Sequence, residues 1–112
     1  LVRSRGLGDV YKRQVEEGAV IRGSVVRGPA YIGAGSVVED SYVGPYTSVG
    51  EGCVLRRVEV EDSVLMDRVV LEALPWRVVG SIIGAESVVR GDEGLKPRGV
   101  KMMLGERTVV AL

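Results

Sequence analysis

The sequence predicts an all-β fold: a parallel solenoid of about five coils, followed by a non-repeat C-terminal tail. Three observations carry this. An aliphatic residue recurs at seventeen-residue intervals, at Val15, Ile32, Val49, Met66 and Ile83. Each period then subdivides into steps of six, five and six: Val15, Ile21, Val26, then Ile32, Val38, Val43, then Val49, Leu55, Val60. Finally, the chain is rich in valine and contains no phenylalanine. β-branched side chains suit strands, and large rings do not pack inside thin coils.

Residues 1–14 show none of the period. They are too short and too charged for a secretory signal, lacking an apolar central stretch. We expect a linker or a non-native, adaptor-like leader there, and a chain that has lost an upstream part. The β-helical coils are expected over residues 15–91. Within each hexad an aliphatic residue and a small residue point inward, and the residues between them face solvent. The small column reads Ala19, Ser36, Cys53, Val70 and Ser87, as a narrow prism requires. Gly18, Gly35 and Gly52 recur just ahead of it, where a corner asks for positive φ. Equivalent residues of successive coils stack at roughly 4.8 Å.

The fourth coil breaks the rhythm, stepping 66, 71, 78, 83 with Leu74-Pro75-Trp76 in the long step. Proline removes a ladder donor, so this corner is expected to bulge outward. Trp76, the single tryptophan, reads as a side chain lying on the outer wall rather than as a ligand platform. Residues 92–112 form the tail. Gly91-Asp92-Glu93-Gly94 and Lys96-Pro97-Arg98-Gly99 read as loop, and residues 104–109 as one last hexapeptide covering the end of the stack. A stack that starts at Val15 leaves a bare strand edge, so the chain alone is expected to self-associate.

Composition narrows the function. Fifteen basic and fifteen acidic residues leave no net charge, which does not build the positive surface nucleic acids demand. No apolar run reaches bilayer-spanning length, so no membrane partner is expected. One cysteine permits no internal disulfide and fits a reducing, cytoplasmic setting. Cys53 falls in the small-residue column, so packing outweighs a nucleophilic role. Asp40, Asp62 and Asp67 are conceivable bases, but corners call for polar turn residues anyway. The chain contains no histidine, and so lacks the usual base near neutral pH and the usual zinc ligand. No catalytic, cofactor-binding or metal-binding residue is assigned.

The aliphatic-Gly-x-x-small-x hexads resemble those of the left-handed parallel β-helix of hexapeptide-repeat proteins. The left hand is what that resemblance implies; spacing does not give it. Corners such as Asp40-Ser41-Tyr42-Val43-Gly44 and Gly80-Ser81-Ile82-Ile83-Gly84 narrow the likeness. So do the stretch from Gly28 to Gly50 and the ending Met102-Met103-Leu104-Gly105-Glu106-Arg107-Thr108. Together they resemble the C-terminal domain of long-form glucose-1-phosphate thymidylyltransferases, within the sugar-1-phosphate nucleotidylyltransferases. The resemblance implies chemistry in an N-terminal α/β domain with magnesium, and a C-terminal β-helix that supports it and assembles it into a homo-oligomer. Family members often have Asp-His-Ser where this chain has Glu106-Arg107-Thr108. Two alternatives stay open: a hexapeptide-repeat acyltransferase domain, or the β-helix of a guanylyl- or adenylyltransferase.

Overall fold

The computed structural model describes residues 12–91, 100–106 and 109. Short strands separated by corners build one coil after another. The first coil holds β1 (Arg13–Val15), β2 (Val20–Arg22) and β3 (Val25–Val26). The second holds β4 (Ala30–Ile32), β5 (Val37–Glu39) and β6 (Tyr42–Val43). The third holds β7 (Thr47–Val49), β8 (Val54–Arg56) and β9 (Glu59–Glu61). β10 (Val64–Leu65), β11 (Val70–Glu72) and β12 (Val78–Val79) make the fourth; β13 (Ile82–Ile83) and β14 (Val88–Gly91) begin the fifth. Every third strand pairs with its counterpart one coil on, in parallel, giving three walls. The first wall is β1-β4-β7-β10-β13, the second runs from β2 to β14, and the third is β3-β6-β9-β12. The chain is therefore a three-walled parallel β-solenoid of about five turns, as the hexads predict.

The core lies along the axis. Ile32, Val38, Val43, Val49, Leu55, Val60, Leu65 and Leu71 are all essentially fully buried. Each strand contributes one inward aliphatic, and the pleat sends its neighbours outward. The column of small residues is buried at Ala19, Ser36, Cys53 and Ser87, and hydrogen bonding adds a second reason for it. Ser36 Oγ donates to the Gly50 carbonyl at 2.7 Å and accepts from the Cys53 N–H at 3.0 Å. Ser41 Oγ likewise donates to Glu39 O and accepts from Val58 N–H. These hydroxyls tie one coil to the next and satisfy buried backbone groups that the corners leave unpaired.

Two positions depart from the even spacing. The first-wall ladder continues from Val49 to Leu65 and on to Ile83, so Leu65 and not Met66 is the inward residue. Met66 is half exposed. In the small column the fully buried residue is Val69, not Val70, whose strand neighbour Leu71 faces the core. The cause is a pair of compensating length changes. The corner after β9 is one residue shorter than the corner after β6, and the Leu74-Pro75-Trp76 excursion before β12 restores the length.

Both ends also differ from expectation. β1 starts at Arg13, so pairing begins two residues before Val15. The tail does not add a parallel hexad. β15 (Val100–Met103) runs antiparallel to β14, and Val109 bridges antiparallel to Ile82. Met102 packs against the core from this strand. Residues 1–11, where most of the expected leader falls, and 92–99, the expected loop, lie outside the described residues.

Candidate functional site

The three carboxylates considered as bases sit at three different corners. Asp40 follows β5, Asp62 follows β9 and Asp67 follows β10. All are exposed, and Asp40 and Asp62 take positive φ, of 48° and 51°. Asp67 Oδ1 accepts from the Glu51 N–H at 3.0 Å. Short acids suit such turns because they tolerate the left-handed region and bond nearby backbone. The fold keeps them apart and gives each a turn-building place.

Cys53 is fully buried, its thiol 3.0 Å from the Met66 carbonyl. Burial pushes the thiol pKa up, which disfavours the thiolate a nucleophile needs. Trp76 lies exposed on the outside of the fourth coil, as expected. Beside it, Leu74 and Pro75 rim a shallow groove of about 480 Å³ with Tyr42, Arg57 and Glu59.

What the geometry does build is three different outer walls. The second wall carries an alternating ladder, one charge per coil: Arg22, Glu39, Arg56, Glu72, Arg90. Arg22 to Glu39 is 3.2 Å, Arg56 to Glu39 2.8 Å, Arg56 to Glu72 3.2 Å and Arg90 to Glu72 2.7 Å. The hydrogen bond from Arg56 and the charges of Arg22 and Arg56 hold the Glu39 carboxyl below the usual range. Arg90 and then Arg56 do the same for Glu72. Sequence reasoning missed this network, although its five positions follow the coil period.

The third wall carries a smaller network. Arg77 pairs with Glu59 at 3.0 Å and Glu61 at 3.1 Å, and its guanidinium lies 4.9 Å from the centre of the Tyr42 ring. The first wall is different in kind. Its outward column reads Gln14, Tyr31, Ser48, Val64 and Ile82, so it turns apolar toward the last coil. Val64 and Ile82 are 43% and 52% exposed.

Among the described residues no three acidic, cysteine or histidine side chains gather to hold a metal ion. Among the described residues no helix is long and apolar enough to cross a membrane.

A three-walled hexapeptide solenoid whose inward residues build the coil and whose corner acids stand apart is a β-helix module. In sequence the chain is similar to the C-terminal part of glucose-1-phosphate thymidylyltransferases. It is 39% identical over 94 residues to that enzyme of Streptomyces griseus, covering 84% of this chain and 26% of the relative. It is 36% identical over 99 residues to that of Streptomyces antibioticus, covering 88% and 27%. A low-salt glycan biosynthesis nucleotidyltransferase of Haloferax volcanii is 35% identical over 72 residues, covering 64% and 20%. The chain thus spans about a quarter of the length of the curated relatives it matches. No family model matches it. Among solved structures, a GDP-perosamine N-acetyl transferase of Caulobacter crescentus superposes with a TM-score of 0.37 at 16% identity, over 80% of this chain and 53% of that one.

Proposed function

We propose that this chain is the C-terminal module of a glucose-1-phosphate thymidylyltransferase, and that its work is support and assembly. In the whole enzyme, dTTP and glucose 1-phosphate give dTDP-glucose and pyrophosphate in an N-terminal domain that also holds the magnesium. One observation carries the reading: two thymidylyltransferases match over 84% and 88% of this chain, across the coils and into the tail. The physical design agrees with it. Inward positions fill a continuous core, corner acids are separated, and the single thiol is buried. Such a stack is a stiff rod whose walls are free to carry contacts. A cytoplasmic location goes with this reading, since a buried free cysteine suits a reducing compartment.

A second reading keeps the nucleotidyltransferase and changes its sugar or base, and the glycan-biosynthesis relative favours it. The test joins the chain to its upstream sequence and measures pyrophosphate release from glucose 1-phosphate with dTTP, GTP and ATP in turn. We expect dTTP to be preferred by at least tenfold; a preference for GTP or ATP replaces the first reading with the second. In parallel, the chain alone is incubated with acetyl-CoA and amino sugars. Release of free CoA above background would overturn the support role.

A further inference from the structure

The corner between the second and third walls keeps one length until the fourth coil. Two residues join β2 to β3, β5 to β6 and β8 to β9, whereas five, 73–77, join β11 to β12. The extra length is the Leu74-Pro75-Trp76 excursion. Among the described residues, no backbone N–H or C=O group of 74–77 is hydrogen-bonded to another backbone group. Two side chains fasten the segment instead. Leu74 packs against the core at one end. Arg77 holds the other end from outside, donating to Glu59 at 3.0 Å and to Glu61 at 3.1 Å on the third coil. Its guanidinium also lies 4.9 Å from the centre of the Tyr42 ring, on the second coil. Register explains this reach: Val78 pairs with Val60, so Arg77 stands over Glu59 in the outward column that continues to Tyr42.

We infer that residues 75–77 form a strap with two positions, pinned to the third wall by the Arg77 side chain and free when that pin lets go. Leu74 is the fixed end. In the pinned position Leu74 and Pro75 form the fourth-coil side of the groove of about 480 Å³, with Asp40, Tyr42 and Glu59 on the earlier coils. Releasing the strap opens that groove and bares the face of the Tyr42 ring and both carboxylates. Ionic strength is the control. The side chains of the pin are 43% exposed at Arg77, 57% at Glu59 and 31% at Glu61, so salt screens their attraction. A segment without backbone bonds opens readily once such contacts weaken. By contrast, the charged ladder of the second wall sits on strands paired from coil to coil, so screening it frees no segment. The strap does not depend on which enzyme the module serves.

β12 follows Arg77 directly, so its amides report the release. The test is amide exchange in β12 of the intact chain, read in about 10 mM and about 500 mM salt. Exchange there should rise about threefold with salt, and Arg77→Gln should raise it about tenfold and abolish the salt response. Tyr42→Leu, which removes the ring and keeps both ion pairs, should fall between. Arg22→Gln, which removes an exposed pair on the first two coils, should leave β12 unchanged. Trp76, the single tryptophan, gives a second reading. Its fluorescence anisotropy should drop with salt in the wild type and stand at the low value throughout in Arg77→Gln. Either readout, if indifferent to salt or to Arg77→Gln, would overturn the inference. So would a rise in exchange shared equally by β4 to β9, because the whole stack would then be loosening.

Discussion

A methyl group added at Gly33 and one added at Gly35 meet opposite surroundings. At Gly33 it would lie 2.5 Å from the backbone carbonyl carbon and oxygen of Gly50 on the next coil. At Gly35 it meets nothing within 4 Å, but the backbone there sits at a φ of +69°. Gly33→Ala should therefore cost about 2 kcal/mol or more, because two coils must part. Gly35→Ala should cost about 1 kcal/mol, the conformational penalty alone. Urea unfolding followed by circular dichroism separates the two. The reverse change is informative at Ala73, which holds a φ of 52° without being glycine. Ala73→Gly should stabilise by about 0.5 kcal/mol, the strain relieved less the entropy glycine adds to the unfolded chain. The recurring glycines made the corner of Gly35 legible in the sequence, at Gly18, Gly35 and Gly52. Arg68 and Glu86 take the same turn at φ of 58° and 63° and were not legible, because nothing in a charged side chain announces a left-handed backbone. Cys53 was legible as packing. Its thiol should resist a disulfide reagent at pH 8 in the folded chain and react at once in denaturant.

Along the second wall, Glu39 and Glu72 are linked by the shared Arg56, which makes the five charges one unit. Both carboxyls have lowered pKa values in the folded chain, Glu39 through Arg56 and Glu72 through Arg90 first. At low pH the unfolded chain therefore takes up protons before the folded one does. The stabilisation is in place above the ordinary carboxylate range, about pH 4.3, and is lost as pH falls through the folded values. Thermal unfolding should show that acid-side loss, and Arg56→Met should shrink it, costing stability from neutral pH upward and little once both carboxyls are protonated. Because the pairs are partly exposed, 1 M salt should weaken the effect as well. The alternating charges at 22, 39, 56, 72 and 90 were present in the sequence, but an aliphatic period draws attention inward. The slip at β10 and β11 was hidden for a different reason. Leu65 stands beside Met66 and Val69 beside Val70, so either choice keeps an aliphatic residue on the ladder. Only the pairing of Leu65 with Val49 and Ile83 resolves it.

Across the solenoid, order depends on having a neighbour on each side. Among the described residues β1, β2 and β3 are the terminal strands of their walls, whereas strands of the second and third coils are hydrogen-bonded on both flanks. Amide exchange should therefore be slowest in β4 to β9 and at least tenfold faster in β1 to β3, as a stack that frays from its end requires. Mass-spectrometric or NMR exchange on the intact chain reads this directly; uniform protection would mean that all coils open together. The stacked architecture was legible, the slip in the third and fourth coils apart, because each coil repeats local spacing. The tail was not: whether β15 joins its wall parallel or antiparallel depends on a turn and a distant partner, not on a period.

That reversed strand has a consequence for how the rod ends. A parallel stack offers its last strand as a template, and any like-directed segment, including another molecule's first coil, could continue it indefinitely. β15 lies over β14 pointing the other way, from Val100 opposite Gly91 to Met103 opposite Val88. An incoming coil would meet the wrong polarity on that wall, and the molecule thereby carries its own stop against growing into a filament.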